Sequence, residues 1–237
     1  MVEKRCRVCG SPETVKAHLF PAALSHDIRG DAKHVVSIKA EPVGPQFHQS
    51  GEWSNAILCR THEAVLHVPE QYAIKFCRRF DRIVDDHPRS SSLAIANPRP
   101  DLLVAFAHIV VWRYGAALEQ IGRRLGPYLT RIQEVVFDNA QPLEVVVLEA
   151  GHRRRGRRMK LGVIPTTGTL SGVRIVRFDI GGLCFILKVD KRPFHPVFAG
   201  FDASRDPIEI LIQDPVEVLS NPLIRELMTG RRLTPDR

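Results

Sequence analysis

The chain has no run of apolar residues long enough to span a bilayer. Its longest, Leu102 to Trp112, is interrupted by His108 and stopped by Arg113, well short of the ~20 residues that a membrane helix needs. No apolar h-region follows the opening Met-Val-Glu-Lys-Arg-Cys, which excludes a secretory signal of the usual form. The expectation is a cytoplasmic chain with no membrane partner. No internal repeat is visible. Acid is in the minority, with 26 Asp and Glu against 34 Lys and Arg, for a formal charge of +8 and a pI of about 9.6. Cysteine is scarce and odd in number, five in all, and two of the five stand in a CxxC. In a reducing compartment that spacing points to metal or redox chemistry rather than a disulfide framework.

What is present describes an ordinary globular protein. The 237 residues are 44% hydrophobic and 25% charged, enough for one large or two modest domains with a real core. The basic surplus favours an anionic partner, nucleic acid first and an anionic membrane surface second. A solvated basic surface with no particular ligand accounts for the charge equally well.

The texture changes four times along the chain. Residues 1 to about 63 are rich in Cys, His, Pro and Gly and have little periodicity, so they need a staple. Residues 64 to 86 carry Tyr72, Phe76, Phe80 and Ile83 at helical spacing, with basic residues on the other face and Pro69 in the first turn. The zinc-type module with this helix is expected over 1–86. Pro88, a serine run, Pro98 and Pro100 mark 87–100 as a linker. A helical segment follows over 101–140, with Asp101 as N-cap of a helix from Leu102 to Gln120 and a break at Gly126-Pro127. A β-rich domain is expected over 141–237. Its strands are Leu143 to Glu149, Lys160 to Ile164, Val173 to Ile180, Leu183 to Val189 and Glu209 to Ile212, with Gly181-Gly182 as a hairpin turn. The order gives an α+β class with a mostly antiparallel C-terminal sheet.

The strongest chemical signal is a pair of short motifs. Cys6-Arg-Val-Cys9-Gly has the form of a zinc knuckle, and Leu58-Cys59-Arg-Thr-His62-Glu63 leads into a helix. Each pair reaches one ion, and together they supply the four ligands of a closed tetrahedral Zn²⁺ site. Two unrelated buried thiols and a surface histidine are the competing explanation. Cys77 and Cys184 have no partner at ligand spacing and read as small core residues. Phe106 and Trp112 lie on a helix stripe and read as core. The run His152-Arg153-Arg154-Arg155-Gly-Arg157-Arg158 reads as a basic hairpin tip that tracks phosphates, or as a solvated loop.

Between the two metal-type pairs stand Ala17-His18-Leu-Phe-Pro21 and Trp53-Ser-Asn55-Ala-Ile-Leu-Cys59. In this order of motifs, over roughly the first 140 residues, the sequence resembles the zinc-stapled HNH endonucleases and a poorly characterised bacterial branch of HNH-like proteins. Phe106, Trp112-Arg113 and Leu125-Gly-Pro-Tyr128 echo the helical part of that branch. The resemblance implies a ββα-metal, treble-clef-like module that hydrolyses phosphodiester bonds, of DNA rather than RNA, beside a Mg²⁺ or Mn²⁺ ion. It gives His18 the role of general base, Asn55 that of orienting the imidazole or its loop, and Glu63 that of facing the ion. Arg60 is then the phosphate anchor.

The sequence departs from that pattern in three places. Ala17 stands where a metal-binding Asp or His is usual, Glu63 where a His or Asn is usual, and His62 where the second zinc pair usually ends in Cys. His26-Asp27, His34 and His48 are the nearby residues that would substitute as ligands. Three functions remain open: a nuclease, a zinc-stapled nucleic-acid- or protein-binding module without catalysis, and a protein-interaction module whose basic C-terminal sheet docks an acidic partner.

Overall fold

A helix that is apolar on nearly every side organises the middle of the chain. In the computed structural model, the described residues are 4–212 without 32, 34, 40–43, 88–90, 152, 155–156 and 159. The elements are β1 (Ala17–His18), α1 (Ala22–Arg29), β2 (Val35–Lys39), β3 (Gly44–His48), β4 (Trp53–Ser54), α2 (Arg60–Val65) and α3 (His67–Asp86). Then follow β5 (Ser92–Ile95), α4 (Pro100–Ala117), α5 (Glu119–Leu125), α6 (Pro127–Phe137) and β6 (Val145–Glu149). The rest comprises β7 (Arg153–Arg154), β8 (Arg157–Arg158), β9 (Val163–Leu170), β10 (Val173–Ile180), β11 (Leu183–Lys188), a 3-10 turn (Pro196–Phe201) and β12 (Ile208–Leu211). The arrangement is α+β, with a β/α N-terminal region, central helices and a C-terminal antiparallel sheet.

The sheet runs β6-β11-β10-β9, antiparallel throughout. Gly181 and Gly182, both at positive φ, make the two-residue turn between β10 and β11, with Ile180 paired to Leu183. Only residues without a Cβ take positive φ twice in succession at little cost. Every residue of β6 and β11 is buried, so this sheet is covered on both faces. On one face Phe178 and Phe185, directly opposed across the ladder, stack with centroids 5.0 Å apart, and Phe106 of α4 meets both edge-on. Phe20, which follows β1, packs against Phe178 and against Tyr114 of α4. The N-terminal region and the C-terminal sheet thereby share one apolar core. The other face closes over Val146, Leu148, Ile175, Cys184 and Ile186, capped by Phe198.

Helix α3 buries Ala73, Ile74, Phe76, Cys77, Phe80 and Val84, the 3.6-residue stripe expected of an amphipathic helix. It packs on α4. Phe106 and Trp112 of α4 are fully buried, as are Cys77 and Cys184. No single helix among the described residues is long and apolar enough to cross a membrane.

Three expectations shift. Helix α4 starts at Pro100 with Arg99 as N-cap, two residues earlier than an Asp101 cap requires, because proline pre-sets a helical φ at the first position. Asp101 pairs with Arg99 instead. The helix also stops at Ala117, where Leu118 turns extended, and α5 leaves at 120°. Strand β9 continues past Pro165 to Leu170 because it is an edge strand, where a missing N–H costs no ladder bond. Residues 92–95, inside the stretch read as a linker, form β5 and pair with β12. Just beyond, Asn97 donates to the carbonyls of Ala203 and Arg205 and accepts from Tyr72 Oη at 2.7 Å.

Candidate metal centre and the groove beside it

The Cys6–Cys9 knuckle is built by backbone hydrogen bonds. Gly10 N donates to Cys6 O and Cys6 N to Ser11 O, and Gly10 adopts φ +74° to close the turn. Arg7 N donates to Ile57 O and Val15 N to Leu58 O, which stitches the knuckle to the segment leading into Cys59. Cys59 is the N-cap of α2, and Glu63 N donates to its carbonyl, so His62 comes round within the first turn.

These constraints bring Cys6, Cys9, Cys59 and His62 together, with all four ligand atoms within 4.8 Å of one another. Cys59 Sγ lies 3.2 Å and Cys6 Sγ 3.6 Å from His62 Nδ1, and Cys9 Sγ lies 3.9 Å from Cys59 Sγ. A tetrahedral zinc with Zn–S of ~2.3 Å and Zn–N of ~2.0 Å sets its ligands roughly 3.4–3.8 Å apart. Three soft sulfurs and one imidazole are the donor set that zinc takes, so the residues fit the ion. Burial works against a Cys6 thiolate, but the backbone N–H groups of Cys9, Val8 and Cys59 outweigh it and bring that thiol down to about 6. For Cys9 the Ser11 backbone pulls downward, yet burial and the neighbouring Cys6 and Cys59 leave it raised. Phe137 holds the His62 ring edge-on at 5.4 Å and is itself packed on Trp112. The cluster is consistent with a structural Zn²⁺ site.

His18 and Trp53 face each other across the two-residue ladder of β1 and β4, with Ala17 opposite Ser54. The half-buried His18 ring places Nε2 3.0 Å from Ser50 Oγ. Burial lowers its pKa from 6.5, helped by the cations Lys16 and Arg113 and by His26. Asn55 lies just past the ladder, where its carbonyl accepts a 2.6 Å hydrogen bond from Thr14 Oγ1. Among the described residues its side chain makes no hydrogen bond to His18.

Glu63 is occupied. Arg113 of α4, 1% exposed, donates through Nη2 to Glu63 Oε1 at 2.9 Å and through Nη1 to the His18 carbonyl at 2.7 Å and to Glu70 Oε1. Burial raises the pKa of both Glu63 and Glu70 against the pull of Arg113, and Glu63 raises Glu70 further. Glu63 Oε2 has no hydrogen-bond partner among the described residues.

Arg113, Glu70 and Ser50 are the residues of this groove to which sequence reasoning gave no part. Arg113 did leave a trace, as the charge that ends the apolar run Leu102 to Trp112, and once buried such a charge must be paired. Of the substitute ligands, Asp27 is held by Arg78 at 2.8 and 3.1 Å, His26 is exposed beside Arg29, and His48 is half-buried. His34 lies outside the described residues.

A cavity of about 490 Å³ opens beside the cluster, lined by Cys9, Cys59 and His62 together with Ser11, Thr14, Arg60 and Thr61. Arg60 is exposed on its wall. The arginine run lies elsewhere, as an antiparallel ladder with Arg153 paired to Arg158 and Arg154 to Arg157. Arg155 lies outside the described residues. No protein-family profile, curated protein or solved structure matches this chain.

Proposed function

We propose that this chain is a zinc-stapled nucleic-acid-binding protein and that its His18 groove is not a hydrolytic centre. The Arg113 guanidinium carries the second half of the reading. It lies between the His18 carbonyl and Glu63, the two sides of the groove that the HNH resemblance gives to a catalytic cation. A divalent ion there would have to draw on Glu63 Oε2 and the second oxygen of Glu70 beside a positive charge, and the Ala17 side chain offers no donor. Even Mg²⁺, which keeps most of its waters, is held through one or two carboxylates plus substrate oxygens. Here Glu63 and Glu70 already share the Arg113 guanidinium.

Binding is supported by the charge of +8 and by exposed Lys16 and Arg60 on the zinc side. Phosphate contacts release counterions, so affinity falls steeply with salt. The arginine ladder contributes to the same term. Protein binding through the zinc module is the second reading, favoured by the cavity beside the cluster.

The test is a supercoiled-plasmid assay with Mg²⁺, Mn²⁺ or EDTA beside a salt series of binding. We expect salt-sensitive binding and no nicking with any ion. Metal-dependent nicking that disappears in both His18→Ala and Glu63→Ala, at constant zinc content, restores the nuclease reading.

A further inference from the structure

We infer that Trp53, with Lys16 beside it, is a stacking platform for an unpaired nucleobase, and that the nucleic acid this chain takes is single-stranded. The inference rests on the nucleic-acid reading above and narrows its ligand.

Trp53 is the one exposed aromatic side chain among the described residues, 48% exposed, whereas Trp112 is fully buried. It stands on β4, held in place by the ladder to β1 and by the Leu19 N–H, which donates to the carbonyl of Glu52 one residue before it. Lys16 Nζ lies 5.0 Å from the indole centroid. A rigid indole with an ammonium against it offers both a π-face and a charge for the phosphate next to a stacked base. His18, opposite Trp53 in the ladder, is bonded to Ser50 and held toward its neutral form, so it adds no second charge.

The surroundings favour a strand of nucleic acid over an apolar partner. Thr14, two residues before Lys16, hydrogen-bonds the carbonyl of Asn55, two residues after Trp53. It also lines the cavity that carries Arg60, Ser11 and Thr61. Platform and cavity are therefore neighbouring parts of one surface. Hydroxyls and an arginine suit a phosphodiester backbone, and Glu13 is the single carboxylate of that lining. A duplex keeps its bases stacked on one another and presents no free π-face, so this arrangement discriminates in favour of unpaired bases.

The experiment uses the full zinc-loaded chain with labelled oligodeoxyuridylate, oligouridylate and a duplex of matched length. Tryptophan emission and its iodide accessibility are read alongside anisotropy. We expect the single strands to bind and to shield the exposed tryptophan from iodide. Trp53→Ala should weaken single-strand binding on the order of 10- to 100-fold, leaving duplex affinity and zinc content unchanged, and Trp53→Phe should recover most of the loss. A preference for one of the two single strands identifies the sugar read; equal binding means that stacking and charge suffice. Single-strand binding that leaves iodide accessibility unchanged, or that survives Trp53→Ala with zinc intact, overturns the platform and leaves the nucleic-acid reading standing. Failure of the wild-type chain to bind any of the three at low salt overturns both. The iodide measurement on the wild type decides the matter even where Trp53→Ala does not fold.

Discussion

Replacing Arg113 with methionine removes the guanidinium that donates to both Glu63 and Glu70, and fills similar volume with an apolar chain. Both carboxylates are mostly buried, and burial already raises their pKa from the ordinary 4.5 against the pull of the guanidinium. Breaking a buried pair by removing one partner costs about 3–5 kcal/mol, because the remaining charge is left uncompensated. The carboxyl-side partners here are 15% and 27% exposed, so the low end, about 3 kcal/mol, applies. The sign of its pH dependence follows from linkage. Without the cation the folded-state carboxyl pKa values rise further, while the unfolded values stay near 4.5. The extra destabilisation is then absent below about 4.5 and grows as pH rises above it. Denaturant titrations of wild type and Arg113→Met at pH 5 and 7.5 should show a wider gap at the higher pH. Adding Glu63→Gln and Glu70→Gln to Arg113→Met should recover much of the loss. A loss under about 1 kcal/mol at pH 7.5, or a gap independent of pH, would refute the idea that this guanidinium neutralises the groove.

His108 is fully buried, with Nδ1 bonded to the Val104 carbonyl and Nε2 accepting from Leu143 N, and burial lowers its pKa to about 4. Its neutral form therefore contributes stability that is complete above 6.5 and is lost as pH falls toward 4, worth about 3 kcal/mol. Denaturation midpoints between pH 7.5 and 4.5 should show this slope, and His108→Gln should flatten it. Cys59→Ser should release the zinc and unfold the knuckle, since ligation in small zinc modules supplies on the order of 10 kcal/mol. Limited proteolysis should then cut within residues 4–63 before it reaches the sheet, and equal cutting throughout would contradict a local staple. Asn97→Ala leaves the buried Ala203 carbonyl and the part-buried Arg205 carbonyl without their Asn97 donor and takes the acceptor from Tyr72 O–H. It should cost roughly 2–4 kcal/mol by thermal melt, and a loss within 0.5 kcal/mol would mean that β5 and β12 hold without it.

The Cys6, Cys9, Cys59 and His62 cluster was legible because its geometry is local. Two residues between cysteines bring both sulfurs to one place, and Cys59 and His62 lie within one helical turn. The Gly181-Gly182 turn was legible for the same reason. Strand β5 was not, because Ser92 to Ile95 is held by a partner strand far along the chain and sits among prolines and serines that read as a linker. The stripe through Phe106 and Trp112 understated helix α4, which is buried on nearly all sides, between α3, α6 and the sheet. The resemblance set Glu63 toward a metal; the contact that could not be read from the sequence is with Arg113, fifty residues later, which donates to it, and no spacing rule reports such a pairing. His18 sits on the two-residue ladder of β1 and β4, strands more than thirty residues apart, and its ring meets Ser50.

The most direct test is a metal inventory of the folded full-length chain, combining elemental analysis with a Mn²⁺ titration followed by electron paramagnetic resonance. The account expects one zinc per chain and Mn²⁺ that stays in its free aqueous form. A folded sample without zinc, or one stoichiometric Mn²⁺ that is lost in Glu63→Ala, would contradict it.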